Sequence, residues 1–413
     1  MNRCPSMLAP TPTQGGCLSR LRLVGGRASS LQLEGILEWI KDGEIEITRR
    51  GNLQHRSLLP PTPLVLQKLQ DLKLIGSPET DQLRNIMLSP MAGIDTKMVM
   101  DTSLWAKEWE KYLQDHRELK DLSAKFSIGF DGGETVSITH LLNDVLVSAI
   151  DPASVVIFLS DPVGVVVPVQ EVIDVLQTIV FLYMNFTKAA TTKPRLKEMV
   201  ANYGIESVWH RVEQKLGKKF DRLSKLTDKN PSFSCLGVFH QNNDAYFAIG
   251  VAIPSSRLAA MELQKLKQIA DRFGTGELRF TPWQSILIPF VHRSFVAESL
   301  KQITEMNLSV TDQPPITACA GLACNSSFTD TQTNAKELSQ QTKARSITIH
   351  LSGCARLCAY SIPHHFLAIG VSPGVYALYH DQKKLTECTD RELLTVVANY
   401  QNLPKANLSA TKI

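Results

Sequence analysis

The chain has 413 residues, of which 43% are hydrophobic and 20% charged, and its formal net charge is +4. This length exceeds what one ordinary hydrophobic core accommodates, so we expect two to four structural units. The mild positive charge permits an anionic small-molecule ligand, but the absence of a dense basic stripe does not favour a nucleic-acid partner.

The N-terminal residues 1–16 contain one arginine and no apolar run after it, so they do not form a secretory signal. Residues 154–186 form the most hydrophobic stretch, but prolines and acidic residues interrupt it. A bilayer-spanning helix needs about 20 consecutive apolar residues. We therefore predict a buried strand and then an amphipathic helix here, and a cytoplasmic protein without a membrane partner.

Two distant segments follow the same order of elements. Each has a strand, a turn of small residues, a helix, a Gly-Glu turn (Gly43-Glu44 and Gly276-Glu277) and a second strand that ends near Thr48 or Thr281. The two helices show apolar residues at helical spacing: Leu33, Ile36, Leu37 and Ile40 in the first, and Leu263, Leu266, Ile269 and Ala270 in the second. This pattern predicts a duplicated half-domain, whose two copies share one sheet about a pseudo-twofold axis.

The segments after each copy are of mixed α/β type. The first contains a helical run over 104–122, a strand over 125–130 and the turn Asp131-Gly132-Gly133. Residues 189–193 form a polar connector that is too short to separate domains, so we expect one compact assembly. The predicted units are a half-domain over 1–70, an α/β domain over 71–230, a second half-domain over 231–304 and a second α/β domain over 305–413.

Four of the eight cysteines are clustered as C-x4-C and C-x3-C, namely Cys319, Cys324, Cys354 and Cys358. Clustered cysteines in a large protein of a reducing compartment indicate metal or redox chemistry. The other four, Cys4, Cys17, Cys235 and Cys388, are scattered, and we interpret them as buried or idle thiols.

Four thiolates can hold either a [4Fe–4S] cluster or zinc. Structural zinc sites favour C-x2-C spacing, whereas these wider spacings lie among Gly, Ala and Ser residues, which let backbone amides approach the sulfur atoms. A predicted strand over 346–352 delivers Cys354 at its end. We therefore favour an iron–sulfur cluster, with zinc or unrelated thiols as the alternatives.

The quartet, which ends in Ser352-Gly353-Cys354 and Cys358-Ala359, resembles the cluster motif of the sirohaem nitrite and sulfite reductase superfamily. Further motifs over nearly the whole chain are similar to that superfamily: the turn 20–26, the strand 48–56, the segment 84–86, the pair Lys125-Phe126 and the strand 281–284. The resemblance implies an α+β fold with two ferredoxin-like half-domains, each followed by an α/β domain, of which 305–413 binds the cluster.

Within the superfamily, Cys4-Pro5 and the segments 89–95 and 130–133 most resemble precorrin-3B synthases of cobalamin biosynthesis. The resemblance implies a [4Fe–4S] cluster, a mononuclear non-haem iron, and O2-dependent hydroxylation of precorrin-3A at C20 with lactone formation. The alternative is a sirohaem-dependent assimilatory sulfite or nitrite reductase. A third hypothesis, from another class, is a non-catalytic cluster protein that relays electrons or senses oxygen.

Three positions depart from the superfamily pattern. Ser127 occupies the place of the second lysine of the R-K-F-K segment, and this loss of a cation counts against sulfite or nitrite chemistry. Val24 replaces a proline in the first turn. After Cys358, Tyr360-Ser361 replaces the usual His-Pro, so the surroundings of the last cysteine differ.

A carboxylated tetrapyrrole needs guanidinium groups around its rim. The resemblance assigns this role to four arginines of three motifs, with a lysine as a point charge and two amides of the strand 48–56: Arg22, Arg50, Asn52, Gln54, Arg56, Arg84 and Lys125. With a period of two, residues 50, 52, 54 and 56 are predicted to share one strand face. On spacing alone, a solvated edge is the favoured interpretation of that face, whereas the resemblance favours a ligand-binding wall.

The ten histidines are candidates for the mononuclear iron, and His350, His364 and His365 lie close to the cysteines in sequence. Since adjacent residues of a strand point opposite ways, at most one of His364 and His365 faces a site. Each of these histidines is more often a structural residue than a metal ligand, so we assign no ligands to the iron. His55 is predicted to have a packing role. No Gly-rich dinucleotide or flavin motif is present, so we expect an external ferredoxin or reductase as donor.

Overall fold

The computed structural model describes residues 4–188, 193–224, 235–311, 316–341, 348–360 and 364–401. The predicted connector 189–192, the boundary at 230, the first residues of the predicted strand 346–352, and Ser361 lie outside these residues. The strands are β1 (Thr11–Thr13), β2 (Gly16–Leu21), β3 (Arg27–Ala28), β4 (Glu44–Ile47), β5 (Leu53–Ser57), β6 (Ile86–Leu88), β7 (Ile128–Asp131), β8 (Val145–Asp151), β9 (Ser154–Phe158), β10 (Val163–Pro168), β11 (Arg222–Ser224), β12 (Gly237–His240), β13 (Tyr246–Val251), β14 (Arg257–Ala259), β15 (Leu278–Phe280), β16 (Ile286–His292), β17 (Ile316–Ala318), β18 (Ile349–Ser352), β19 (Phe366–Ser372), β20 (Val375–His380) and β21 (Lys383–Thr389).

The helices are α1 (Ser30–Ile40), α2 (Pro63–Asp71), α3 (Ser103–Asp115), α4 (Val172–Lys188), α5 (Leu196–Tyr203), α6 (Ile205–Leu216), α7 (Ala260–Phe273), α8 (Val296–Glu305), α9 (Thr331–Gln341) and α10 (Asp390–Gln401). None of the helices in the described part of the chain combines the length and hydropathy that a membrane span requires.

The chain forms two compact units. The first comprises residues 1–11, 17–253 and 257–311, and the second comprises residues 12–16, 254–256 and 312–413. The first unit holds both copies of the predicted repeat, apart from the turn 254–256 of the second copy, together with the α/β segment between them.

The two copies of the repeat exchange one short strand each. In the first copy's sheet, β2, β5 and β4 lie side by side, and β14 from the second copy adds to β4. In the second copy's sheet, β13, β16 and β15 lie side by side, and β3 from the first copy adds to β15. The duplication is therefore confirmed, but the copies form two sheets with reciprocal exchange and not the single shared sheet that was predicted.

One hydrophobic core lies beneath both copies. It contains the predicted apolar stripe of α1, including Leu33 and Ile36, and that of α7, including Leu263 and Leu266. Ser29 caps α1, since its hydroxyl accepts from Gln32 N–H and the Gln32 side chain accepts from Ser29 N–H. Because α1 and α7 bury their stripes in the same core, neither copy has a complete core alone.

The α/β part of the first unit contains a six-stranded sheet in the order β11-β10-β9-β8-β7-β6. Its separate core includes residues of α3, α4 and α6. The predicted buried strand and helix within 154–186 are observed as β9, β10 and α4. The predicted strand over 125–130 is shifted, because β7 begins at Ile128 and leaves Lys125 in the loop before it.

The second unit contains a sheet in the order β17-β18-β19-β20-β21, of which β17, β18 and β19 are parallel. Helices α9 and α10 contribute Leu338, Leu393 and Val397 to its core. Because β17 and β18 are parallel neighbours, the residues that follow them, Cys319 and Gly353, emerge at the same edge of the sheet.

Candidate functional site

The four clustered cysteines lie in two loops of the second unit. Cys319 follows β17, and its N–H donates to Leu351 O of β18 at 2.9 Å. Cys354 follows Gly353 at the end of β18. A short 3-10 turn over Gly321–Ala323 leads to Cys324, and Cys358 lies four residues after Cys354. None of the four takes part in a disulfide.

Backbone amides surround the Cys319 sulfur. Gly353 N–H donates to Cys319 Sγ at 3.1 Å, and Gly321 N–H donates to it at 3.5 Å. A Cβ at Gly353 would lie 1.8 Å from Ser327 Oγ, so this close approach requires glycine. Amide donors lower the electron density on a thiolate and stabilise its charge.

The four thiols lie close enough to influence one another electrostatically. Cys358 is exposed overall, yet partial burial of its thiol, followed by the negative charges of Cys354, Cys324 and Cys319, raises its pKa. Four mutually repelling thiolates need a compensating cation, which the iron of a cluster supplies. The donor set, the amides and the glycine therefore fit a [4Fe–4S] cluster.

Within the described residues, no three His, Cys, Asp or Glu side chains are grouped to hold a single metal ion. A cubane cluster separates its ligands more widely, since each thiolate binds a different iron. Among the histidine candidates, His350 Nδ1 lies 2.7 Å and His364 Nε2 lies 2.9 Å from Thr317 Oγ1. One hydroxyl thus contacts the imidazoles of both His350 and His364. His365 lies apart from them, and its Nδ1 accepts from Thr348 N–H.

The predicted tetrapyrrole-binding residues all lie in the first unit, but they do not share one strand face. Arg50 and Asn52 lie in the turn before β5, where Thr48 N–H donates to Asn52 O at 2.8 Å. The period-two prediction for residues 50–56 was therefore wrong across this turn. Gln54 and Arg56 both lie within β5, where they share one face as predicted.

The two amide side chains stabilise the half-domain. Asn52 Oδ1 accepts from Leu23 N–H at 3.1 Å, and the Gln54 amide oxygen accepts from Arg20 Nη2 at 2.8 Å across β2 and β5. Arg56 Nη1 donates to Glu46 Oε2 at 2.8 Å. His55 packs edge-on against Trp39, with ring centroids 5.5 Å apart, in agreement with the predicted packing role.

Arg22 and Arg84 meet around Asp81. The Arg22 side chain is fully buried, its Nε donates to Asn85 Oδ1 at 3.1 Å, and burial lowers its pKa to about 10. Arg84 donates to Glu110 Oε1 at 2.6 Å and to the Leu74 carbonyl. The Arg84 guanidinium and two nitrogens of Arg22 are thus bonded to protein acceptors, with which a ligand must compete, whereas Arg22 Nη1 has no hydrogen-bond partner among the described residues. Lys125 is exposed in the loop before β7.

A cationic group that includes Arg50 surrounds a buried carboxylate, Asp144. Arg195 Nη2 donates to both Asp144 oxygens, at 2.9 and 3.0 Å. Arg50 Nη1 donates to the adjacent Asn143 Oδ1 at 3.0 Å. Burial lowers the pKa of Arg50, Asp144 opposes that shift, and the nearby charges of Arg195, Arg49 and Arg20 lower it further. We call these four arginines with Asp144 the Asp144 cluster.

Ser127, which replaces the expected lysine, also belongs to this region. Its backbone N–H and its hydroxyl donate to Asp144 Oδ2 at 3.0 and 3.1 Å. Sequence reasoning identified Ser127 but missed Asp144 and Arg195. Neither forms a motif, since Arg195 precedes α5 and Asp144 precedes β8, so only the fold brings them to Ser127.

Comparisons with known proteins agree with this architecture. Residues 79–220 match the model described as the nitrite and sulphite reductase 4Fe-4S domain, and residues 240–306 match that of the nitrite/sulfite reductase ferredoxin-like half domain. Neither segment contains the four clustered cysteines.

Three relatives span most of the chain. A ferredoxin–nitrite reductase of Synechococcus elongatus is 27% identical over 84% of this chain and 74% of its own length. The chloroplastic ferredoxin–nitrite reductase of Arabidopsis thaliana is 25% identical over 83% and 65%, so this chain spans about two thirds of that relative. A sulfite reductase [ferredoxin] of Mycolicibacterium paratuberculosis is 24% identical over 83% and 67%.

The structure of NirA from Mycobacterium tuberculosis covers 95% of this chain with a TM-score of 0.75 at 20% identity, with 82% of that protein matched. The fold of this solved structure, the internal repeat and the two matched domain models all agree with one another. The chain therefore has the nitrite and sulfite reductase fold with ferredoxin-like half-domains, and it carries the 4Fe-4S domain and the half-domain of that superfamily.

Proposed function

We propose that this chain is an iron–sulfur oxidoreductase that reduces nitrite or sulfite on a bound sirohaem with electrons from a ferredoxin. The observation that carries the proposal is the pair of cysteine loops at one sheet edge, with Gly353 N–H donating to Cys319 Sγ. The relatives named as ferredoxin-dependent nitrite and sulfite reductases support this chemistry.

Cys319, Cys324, Cys354 and Cys358 would hold the cluster, which would supply single-electron transfer, and a bound sirohaem would supply the site for anion reduction. The amides of Gly353 and Gly321 stabilise the Cys319 thiolate at 3.1 and 3.5 Å. Such donors raise the reduction potential of a cluster by stabilising its more negative state.

The first unit would bind the carboxylate arms of the tetrapyrrole. The Asp144 cluster contains four guanidinium groups and one carboxylate, so it retains positive charge for an anionic ligand. Gln54 fixes Arg20, and Asn143 fixes Arg50, at 2.8 and 3.0 Å. These contacts would hold the guanidinium planes ready for bidentate pairing with carboxylates.

The second candidate is precorrin-3B formation from precorrin-3A, an O2-dependent C20 hydroxylation with lactone closure in cobalamin biosynthesis. The observation that favours it is Ser127, whose hydroxyl contacts Asp144 where the reductase motif has a lysine. A hydroxyl bonded to a carboxylate, in place of an ammonium group, weakens the attraction for sulfite or nitrite. This candidate also needs a mononuclear non-haem iron, for which we assign no ligands.

Anaerobic purification and analysis of the full chain separate the candidates. The first candidate predicts a stoichiometric sirohaem spectrum and turnover of nitrite or sulfite with reduced ferredoxin. It also predicts the four iron and four acid-labile sulfide atoms of a [4Fe–4S] cluster, in addition to the haem iron. A cluster without sirohaem, together with a lactone product from precorrin-3A and O2, would reject it for the second. A cluster with neither activity would support the electron-relay or oxygen-sensing hypothesis.

The ligand assignment is tested by Cys358→Ser, with Cys388→Ser as the matched control in the same unit. Cys388 is buried on β21 and lies outside the two loops. We expect Cys358→Ser to lose the visible absorbance of the cluster and Cys388→Ser to keep it. A full cluster in Cys358→Ser would remove that residue from the ligand set.

A further inference from the structure

A cavity of about 250 Å³ lies beside α3 in the first unit, between the start of that helix and the turn that follows Leu23. One part of its wall is apolar and includes Leu23 and Leu88. The other part carries charged groups from four separate segments. This cavity is distinct from the Asp144 cluster, none of whose residues lines it.

The charged wall is strongly unbalanced. Four cationic side chains line it, Arg27, Lys73, Arg84 and Lys107, and the described lining supplies one carboxylate, Glu110. Glu110 is already paired with Arg84, at 2.6 Å. The cavity therefore presents excess positive charge beside apolar surface.

Two buried polar atoms of the lining have no hydrogen-bond partner among the described residues. They are Ser103 Oγ and Arg27 Nε, and Ser103 is 6% exposed. The other end of Arg27 is occupied, since its Nη2 donates to Ala92 O at 2.7 Å. Buried polar groups without partners are unfavourable, so a ligand that pairs with them would bind more tightly.

Arg27 keeps its charge in this environment. Burial, and then the neighbouring charge of Arg279, lower its pKa to about 10, while three carboxylates oppose the shift. The guanidinium is thus still protonated at neutral pH.

The cavity at the equivalent turn of the second copy has a different lining. There the turn at Ser255, the repeat equivalent of Gly25, borders a cavity of about 390 Å³ beside α9. Its lining is mostly small and hydroxyl-bearing, with Lys336 as its cation. The cationic lining is therefore a feature of the α3 cavity and not of the repeated architecture.

We propose that the α3 cavity binds a small organic anion, with its acidic group against Arg27 and Ser103 and a short apolar body against Leu23 and Leu88. The lining contains neither the clustered cysteines nor the Asp144 cluster, and Arg84 is the one predicted tetrapyrrole-binding residue that it shares. Lys107 and Lys73, which are exposed, attract the anion at the rim.

The test is calorimetric titration of the full chain with hexanoate, acetate and hexylamine. Hexanoate combines an anion with an apolar body, acetate lacks the body, and hexylamine reverses the charge. We expect hexanoate to bind more tightly than acetate, and hexylamine not to bind. Equal binding of hexanoate and hexylamine, or no binding of hexanoate at millimolar concentration, would overturn the proposal.

Two exposed lysines of α3 provide a matched pair, because Lys107 lines the cavity and Lys111, one turn later, does not. Lys107→Glu should weaken hexanoate binding by about threefold to tenfold, as expected for reversal of a solvated charge, whereas Lys111→Glu should leave it unchanged. Equal effects of the two variants would show general electrostatic attraction and not a site.

Ser103→Ala supplies a second readout. Since Ser103 Oγ has no partner in the described structure, its removal should leave the unfolding midpoint unchanged or raised, yet weaken hexanoate binding by about threefold to tenfold. A stable Ser103→Ala variant with unchanged affinity would contradict the assigned role of the hydroxyl.

Discussion

The two strand exchanges of the repeat have the same backbone and opposite electrostatics. Where β3 adds to β15, Arg27 lies opposite Arg279, so two like charges face each other. Where β14 adds to β4, the equivalent arginine, Arg257, lies opposite Glu46. Adjacent like charges on paired strands are destabilising unless other groups compensate them.

The compensation for the like-charged pair comes from the segment after β6. Arg279 Nη1 donates to Pro90 O and Ala92 O at 2.7 and 3.0 Å, Arg27 Nη2 donates to Ala92 O, and Glu277 accepts from Arg279 Nε at 2.6 Å. The opposite-charge pair is compensated within the half-domains, since Arg257 Nη1 donates to Glu44 and its Nη2 lies 3.6 Å from Glu46 Oε2. The exchange of β3 therefore also anchors the segment after β6, whereas the exchange of β14 only joins the two copies.

The largest expected effect is that of Gly26→Ala in the first copy. Gly26 has φ +70°, and an added Cβ would lie 2.1 Å from Phe280 O, so the backbones of the two copies must separate. We expect the free energy of unfolding to fall by about 4 kcal/mol or more, measured by urea denaturation.

The control for Gly26→Ala is Ser256→Ala at the equivalent position of the second copy. Ser256 has φ +60° and already carries a side chain, so the variant should lose less than about 1 kcal/mol. Similar losses in the two variants would show that the turns are equally permissive and would remove this difference between the copies.

Arg279→Met tests the clamp on the segment after β6. The variant leaves Pro90 O without its donor from Arg279 and removes one of two donors to Ala92 O, and both bonds are buried. We expect a loss of about 2–3 kcal/mol. Arg257→Met breaks a more exposed ion pair and should cost about 1 kcal/mol or less. A reversed order of the two losses would contradict the assigned roles.

Glu134 makes the first exchange sensitive to pH. Burial, and then the charge of Asp131, raise its pKa from 4.5 to about 8, and its carboxylate opposes the lowered pKa of Arg27. Because the folded state binds this proton more tightly, unfolding between about pH 4.5 and 8 releases it. Stability should therefore fall as pH rises through this window, by at most about 1.4 kcal/mol per pH unit, and level off above it.

Glu134→Gln should remove that pH-dependent component, since the amide does not titrate and one oxygen can still accept from Gly132 N–H. Urea denaturation of both proteins across the window measures the difference. Parallel pH profiles for the two would show that Glu134 titrates with an ordinary pKa.

The smallest expected effect is that of Gln284→Gly, which gives the second copy the residue found at Gly51 in the first. Both residues have positive φ, 62° and 67°, at equivalent points of the two turns. Glycine removes the strain of about 1 kcal/mol but loses the Gln284 Nε2 bond to Ile47 O at 3.0 Å, so the net change should stay within about 0.5 kcal/mol. A large loss would show that the side chain, and not the turn, joins the copies.

The repeat was predictable from sequence because helical spacing and the Gly-Glu turns are local signals. The strand exchange was not, since β3 and β14 contain only two and three residues and their partners lie more than 200 residues away. Nothing local distinguishes a short strand that pairs within its own copy from one that crosses to the other.

The cysteine loops were predictable for a similar reason, because the alternating pattern of β18 is a local signal that ends directly before Gly353 and Cys354. The binding residues were predicted less well. Arg50 and Asn52 fell in a turn because Gly51, with φ +67°, interrupts the strand alternation. Asp144 and Arg195 became apparent only in the folded chain, because 51 residues separate two groups that share a salt bridge.

The reciprocal strand exchange also constrains how the protein is made on the ribosome. The edge of β4 gains its neighbour only when Arg257–Ala259 have been synthesised, and β3 waits for Leu278–Phe280. Until then the nascent first copy exposes an unpaired strand edge and an incomplete core, the features that favour aggregation and chaperone binding. Loop closure over this distance predicts slow, late folding of the first 60 residues.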